Sequence, residues 1–128
     1  MTSVTMSTNA IAEKRILTAV VAHAVKDACI APVLLGKVAV RPHEDAQSAM
    51  NFFFNTKRSG IDAYAIWLEF DAERFREKLI QACFDNVAPK DLHLTDDQRR
   101  NFRANYKLFR NAPVLADEWT YDEEEEEP

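Results

Sequence analysis

Between Ile61 and Gln81 two helical patterns run into each other with almost no residues left over for a loop: IDAYAIWLEF ends at Phe70, and Asp71 opens DAERFREKLIQ. A junction that tight makes two short helices fold back on one another, which is the sequence form of a helix-turn-helix. Only Gly36 and Gly60 are available along the chain for turns that need a positive φ. A fold built from many hairpins is therefore disfavoured, and the expectation is an all-α chain of about five helices.

The other helices are read from apolar spacing and from their punctuation. A first helix is expected from Ala10 to Ile30, capped by Asn9, with Ile16, Val20, Ala24 and Ala28 as its inner stripe, widened by Leu17, Val21 and Val25. Pro32 stops it, and the following APVLLGKVAVRP, bounded by Pro32 and Pro42, reads as an extended crossing segment in which a strand over Lys37 to Val40 lacks an evident partner. A second helix, His43 to Asn55, has Glu44 and Asp45 in its first turn and Ala46, Ala49, Met50 and Phe53 on its inner face. Phe52 and Phe54 make its end apolar nearly all round, which marks core packing or a partner surface.

Ser59-Gly60-Ile61-Asp62 has the form of a capping box for the third helix, and Asp71 caps a fourth lined by Ala72, Phe75, Leu79 and Cys83. Thr95-Asp96-Asp97-Gln98 is another capping box and opens a fifth helix that reaches Asn111. On it, Arg99, Arg100, Arg103, Lys107 and Arg110 share one arc, and Phe102, Tyr106 and Phe109 occupy the next.

Charge divides the chain. Asp117, Glu118, Asp122 and Glu123 to Glu127 follow Ala116 with no basic residue among them, so the formal net charge of −5 conceals a mildly basic body. A block of like charges repels itself and buries little, which gives a division into a flexible N-terminus (1–8), a helical domain (9–116) and a disordered acidic tail (117–128). No apolar run is long enough to span a membrane, and MTSVTMSTNA lacks the pattern of a secretion signal. A cytoplasmic protein is expected, with Cys29 and Cys83 as buried thiols rather than a disulfide.

Catalytic constellations are missing from the sequence: there is no glycine-rich phosphate loop, no G-x-S-x-G elbow, and His43-Glu44 is not followed by a second histidine at helical spacing. His23, His43 and His93 lie far apart without paired ligand spacing, and Glu44-Asp45 and Asp96-Asp97 serve better as first-turn helix stabilisers than as acid/base dyads. Neither an enzyme nor a cofactor or metal is expected.

In a helix-turn-helix, Tyr64 and Ala65 would face the second helix, Leu68 and Phe70 would close the corner, and Phe75 and Leu79 would pack back. The turn departs from the usual pattern, because Glu69 stands where glycine is common and would adopt a left-handed conformation only at a cost. The run DAQSAMNFFF, a polar loop and then IDAYAIWLEFDAERFREKL resembles small uncharacterised phage and prophage proteins over Asp45 to Leu79, although Ala72 and Glu69 replace a proline and a glycine of that pattern. The resemblance implies a phage-type, helix-turn-helix-like domain in a bacterial host and fixes no biochemical role.

From these features the leading expectation is a small DNA-associated regulatory protein. Arg74 and Lys78 would lie in a major groove, and Lys57, Arg58, Arg99, Arg100, Arg103, Lys107 and Arg110 would supply phosphate contacts; Glu73 and Glu77 work against it. The acidic tail would regulate access to that basic surface. The alternative is a protein-binding modulator of a host or defence protein, acting through Phe52 and Phe54 or through Asp122, Glu123, Glu124, Glu125, Glu126 and Glu127 as a nucleic-acid mimic inserted in a basic groove. A third reading is a virion or assembly component that self-associates into a homo-oligomer.

Overall fold

Three of the helices begin at a side chain that caps their first turn, whereas the first helix starts at Thr8, so that Asn9, its expected cap, lies inside it. A computed structural model describes residues 8–55, 57, 59–85, 93–111 and 114–115. The expected flexible start ahead of Thr8 and the expected disordered tail lie outside those residues. Five helices form: α1 Thr8–Ala28, α2 Glu44–Phe54, α3 Gly60–Leu68, α4 Ala72–Phe84 and α5 Asp96–Phe109. The Asp71 carboxylate accepts from Arg74 N at 3.2 Å to cap α4, and at α5 the Thr95 and Gln98 side chains exchange hydrogen bonds with each other's backbone N–H in a complete capping box. His43 caps α2, with Nδ1 accepting from Asp45 N at 3.1 Å.

The box expected at Ser59 does not form. Ser59 holds the N-cap position of α3, but its hydroxyl faces backwards, 2.9 Å from Phe52 O and 3.1 Å from Phe53 O, where it closes the end of α2. Gly60 follows because the two helices touch there: a Cβ on it would lie 2.5 Å from the Phe52 ring.

The all-α expectation gives way to a mostly helical fold with a small sheet. The segment between Pro32 and Pro42 is a hairpin of β1 Val33–Leu35 and β2 Val38–Arg41, closed by Gly36 at φ +67° and Lys37. Gly36 permits the two-residue turn, and valines on both sides favour the extended backbone. β3 Val114–Leu115 adds antiparallel to the other side of β2, giving the order β1-β2-β3, with Leu35 opposite Val38 and Val38 opposite Leu115. The partner missing from the sequence reading is thus supplied on one side by the preceding residues and on the other from the far end of the chain.

The core gathers Val21, Val25 and Ala28 of α1, Met50 and Phe53 of α2, Ile61 of α3, Leu79 and Cys83 of α4, and Phe102 of α5. The inner face expected of α2 is buried throughout. The stripe expected of α1 is buried in its C-terminal part, with Val21, Val25 and Ala28 inward and Ala24 packed against the core, while Ile16 and Val20, earlier in this 21-residue helix, face outward. Ala39 of β2 packs with Ala104 and Leu108 of α5, so the sheet lies on the far side of α5 from the main core.

Candidate functional site

The corner between α3 and α4 is built as its sequence requires, and at the expected cost. Glu69 adopts φ 58°, ψ 51°, the left-handed conformation that ends α3, and the chain enters α4 three residues later. Its exposed carboxylate reaches back to Lys14 of α1 at 3.7 Å. Outward from α4 stand Glu73, Arg74, Glu77, Lys78 and Gln81, all exposed, so acids and bases alternate on the helix that would enter a groove.

Arg76 turns the other way and organises the corner. Nε donates to Phe53 O at 2.6 Å, Nη2 to Ser59 Oγ at 3.1 Å and to Asp62 Oδ1 at 2.8 Å, and Nη1 to Glu73 Oε1 at 3.1 Å. One guanidinium thus joins the end of α2, the start of α3 and the first turn of α4, a use of its planar fork that a lysine could not reproduce. Arg76 is absent from the residues expected to carry function, and its role here is architectural.

The cationic arc of α5 is largely engaged with neighbours in the fold. Arg99 pairs with Asp96 and donates to Leu94 O at 2.7 Å; Arg100 pairs with Asp97 at 3.1 Å; Arg103 donates to Cys83 O at 2.7 Å and closes the end of α4. Arg99 and Arg100 are less than one-fifth exposed. Lys107 is half-buried, and Arg110 is exposed with its guanidinium 5.9 Å from the Tyr106 ring centre. Arg110 also borders a hollow that holds Asp62 and Glu73 around Arg76. Asp62 and Glu73 thus stand between α4 and Arg110 at the end of α5. Lys57 is exposed in the loop ahead of α3, and Arg58 lies outside the described residues.

The aromatic triplet is drawn inward. Phe53 is fully buried; Phe52 meets Tyr64 edge-on at 5.3 Å, and Phe54 meets Tyr106 at 5.0 Å and Phe102 at 6.1 Å. Phe52 and Phe54 are half-buried and contribute to the core, so they offer a partner far less than their sequence position implied. Asp122 and Glu123 to Glu127 lie outside the described residues.

Apolar surface is open elsewhere. Trp67 of α3 is 64 % exposed and Ile66 beside it 78 %, while Ile16 of α1 is 62 % exposed. Trp67 shares with Glu13, Ile16 and Leu17 a hollow of about 210 Å³ between the two helices. Sequence reading missed this face because it placed Ile16 in the core stripe and carried Trp67 only as part of the third helix. A second open patch is the outer face of the hairpin, with Leu35, Val38 and Val40.

Cys29 and Cys83 are buried free thiols, and burial pushes both up to about 12. The neighbouring Cys83 charge adds to the effect at Cys29, whereas Arg103 and Arg99 oppose it at Cys83. Thiols so held stay protonated near neutral pH, where the thiolate is the nucleophilic form. Among the described residues no three His, Cys, Asp or Glu side chains gather as a metal would require, and no helix is long and apolar enough to cross a membrane. No protein-family model, no curated protein and no solved structure matches the chain, so the geometry of these surfaces is what bears on its function.

Proposed function

We propose that this protein acts by docking onto another protein through the face that α1 and α3 share, with Trp67 as the anchor. The observation that carries the reading is the exposure of Trp67 and Ile66 next to Ile16 on a chain whose other aromatic side chains in the described helices are largely packed together. A large ring and two branched aliphatics in water favour association, and tryptophan is the side chain most enriched among residues that dominate binding energies. Glu13 lines the hollow and sets a carboxylate beside the apolar groups, which suits a protein surface better than a polyphosphate. The partner fitting this hollow presents an aliphatic or aromatic knob within a polar rim. On the phage resemblance over Asp45 to Leu79 it is a bacterial host or defence protein, and the protein is its modulator.

The test is capture of a partner by the full chain, repeated with Ile16→Glu/Trp67→Glu and with Glu123 to Glu127 changed to glutamine. The reading expects a partner retained by the glutamine variant and lost by the face variant while the latter keeps its helical circular dichroism. Loss in the glutamine variant alone would assign recognition to the acidic tail as a nucleic-acid mimic.

The left-handed turn at Glu69 and the exposure of Arg74, Lys78 and Gln81 on α4 support a second reading, the DNA-associated regulator. Its test is duplex binding against salt for the full chain and for a truncation after Ala116. A steep loss with salt, and tighter binding without the tail, are its expected results. Absence of binding by both forms at low salt excludes it.

A further inference from the structure

Among the described residues, the hairpin is covered on one face only. Ala39 of β2 is buried against Ala104 and Leu108 of α5, so the alternation of the strand sends Val38 and Val40 to the opposite face, and the register sets Leu35 beside Val38 there. Leu35 is 74 % exposed and Val40 45 %. A sheet with one face on a helix and three branched aliphatics on the other lacks a layer.

We propose that the missing layer is the chain's own C-terminal segment, with Trp119 seated on Leu35, Val38 and Val40. The topology brings the segment to the right place: β3 ends at Leu115, which pairs with Val38 itself. Trp119 follows four residues later, a reach of about 13 Å in extended chain, against about 10 Å from β3 across β2 to β1. Charge agrees as well as length. Lys37 and Arg41 are the charged residues between Ala31 and Pro42, both exposed at the two ends of β2, and Trp119 is flanked by Asp117 and Glu118 with Asp122 to Glu127 beyond. An aromatic between acids, meeting aliphatics between bases, has both components of recognition in matching order. The acidic tail is in this arrangement a strap held by its aromatic residue. The proposal does not rest on the α1–α3 docking face, which uses other residues.

The experiment uses the full chain with Trp67→Phe, which leaves Trp119 as the single tryptophan. Its emission is expected to be blue-shifted and shielded from acrylamide, and adding Leu35→Glu/Val40→Glu is expected to shift it to the red and open it to the quencher. Both substitutions are at exposed positions, and circular dichroism checks that the helices persist. Dilution should leave the shielding unchanged. The proposal is overturned if Trp119 is fully accessible in the single variant, or if it stays equally shielded when the face carries two glutamates. Shielding that grows with protein concentration also overturns it, since a second copy would then be the occupant.

Discussion

Asn105 shows how much of this structure rests on single side chains. It is the one fully buried polar residue among those described, and Nδ2 donates to Ala28 O at 2.9 Å and to Ile30 O at 2.7 Å, closing the end of α1. Asn105→Ala would leave two carbonyls at the end of α1 without these donors; a loss of about 1–3 kcal/mol is expected, read as an earlier midpoint in urea. The cysteines give a prediction in pH. Burial holds both thiols up at about 12 in the fold against an ordinary value of 9.0, so above pH 9 the unfolded chain releases protons that the folded chain retains. Their contribution to stability is complete below pH 9 and is lost as pH rises towards 12. Urea midpoints should fall over that window, and fall less steeply in a Cys29→Ala/Cys83→Ala variant. In the native state at pH 8 neither thiol should react with a disulfide reagent, while both should in denaturant.

At the scale of elements, the sequence disclosed the helices wherever the signal was local. The Thr95 box, the Asp71 cap and the inner face of α2 follow from neighbouring residues and stand as expected. What was not legible depended on distant partners. The Ser59 hydroxyl had a choice between its own helix and the end of α2, and the packing of Gly60 on Phe52 decided it. The hairpin had its local signal in Gly36-Lys37 between valines, but its third strand is two residues drawn from Val114–Leu115, too short to show a pattern. The cations of α5 form an arc on a helical projection, and only the fold shows that Arg103 ends at Cys83 O and Arg99 at Leu94 O. The α3–α4 corner supplies a prediction of its own. Glu69 holds a left-handed conformation that glycine would adopt freely, so Glu69→Gly should raise stability by up to about 1 kcal/mol, seen as a higher thermal midpoint. Gly36→Ala, at φ +67°, should act in the opposite direction by a similar amount, about 1 kcal/mol.

For the whole molecule, the separation of core from open surface decides which variants affect folding and which affect association. Ile16 and Trp67 are largely in water, so Ile16→Glu/Trp67→Glu should leave the thermal midpoint nearly unchanged while increasing solubility and abolishing partner capture. Phe54→Ala, by contrast, removes a ring that touches Phe102 and Tyr106 and should lower the midpoint sharply through lost packing. The candidate surface was hidden from sequence reading for the same reason: Ile16 has the spacing of a core residue, and only the length of α1 relative to the core places it outside.

Three helices share one further property. The end of α1 is closed by Asn105, that of α2 by Ser59 and Arg76, and that of α4 by Arg103. In each case the closing group comes from a later part of the chain, at sequence separations of up to 77 residues. During synthesis these helices would leave the ribosome open-ended, and α1 and α4 would stay so until α5 had followed. Assembly would then be gated by the last helix to appear, with the early segments exchanging between helical and open forms until it docks and fixes them together.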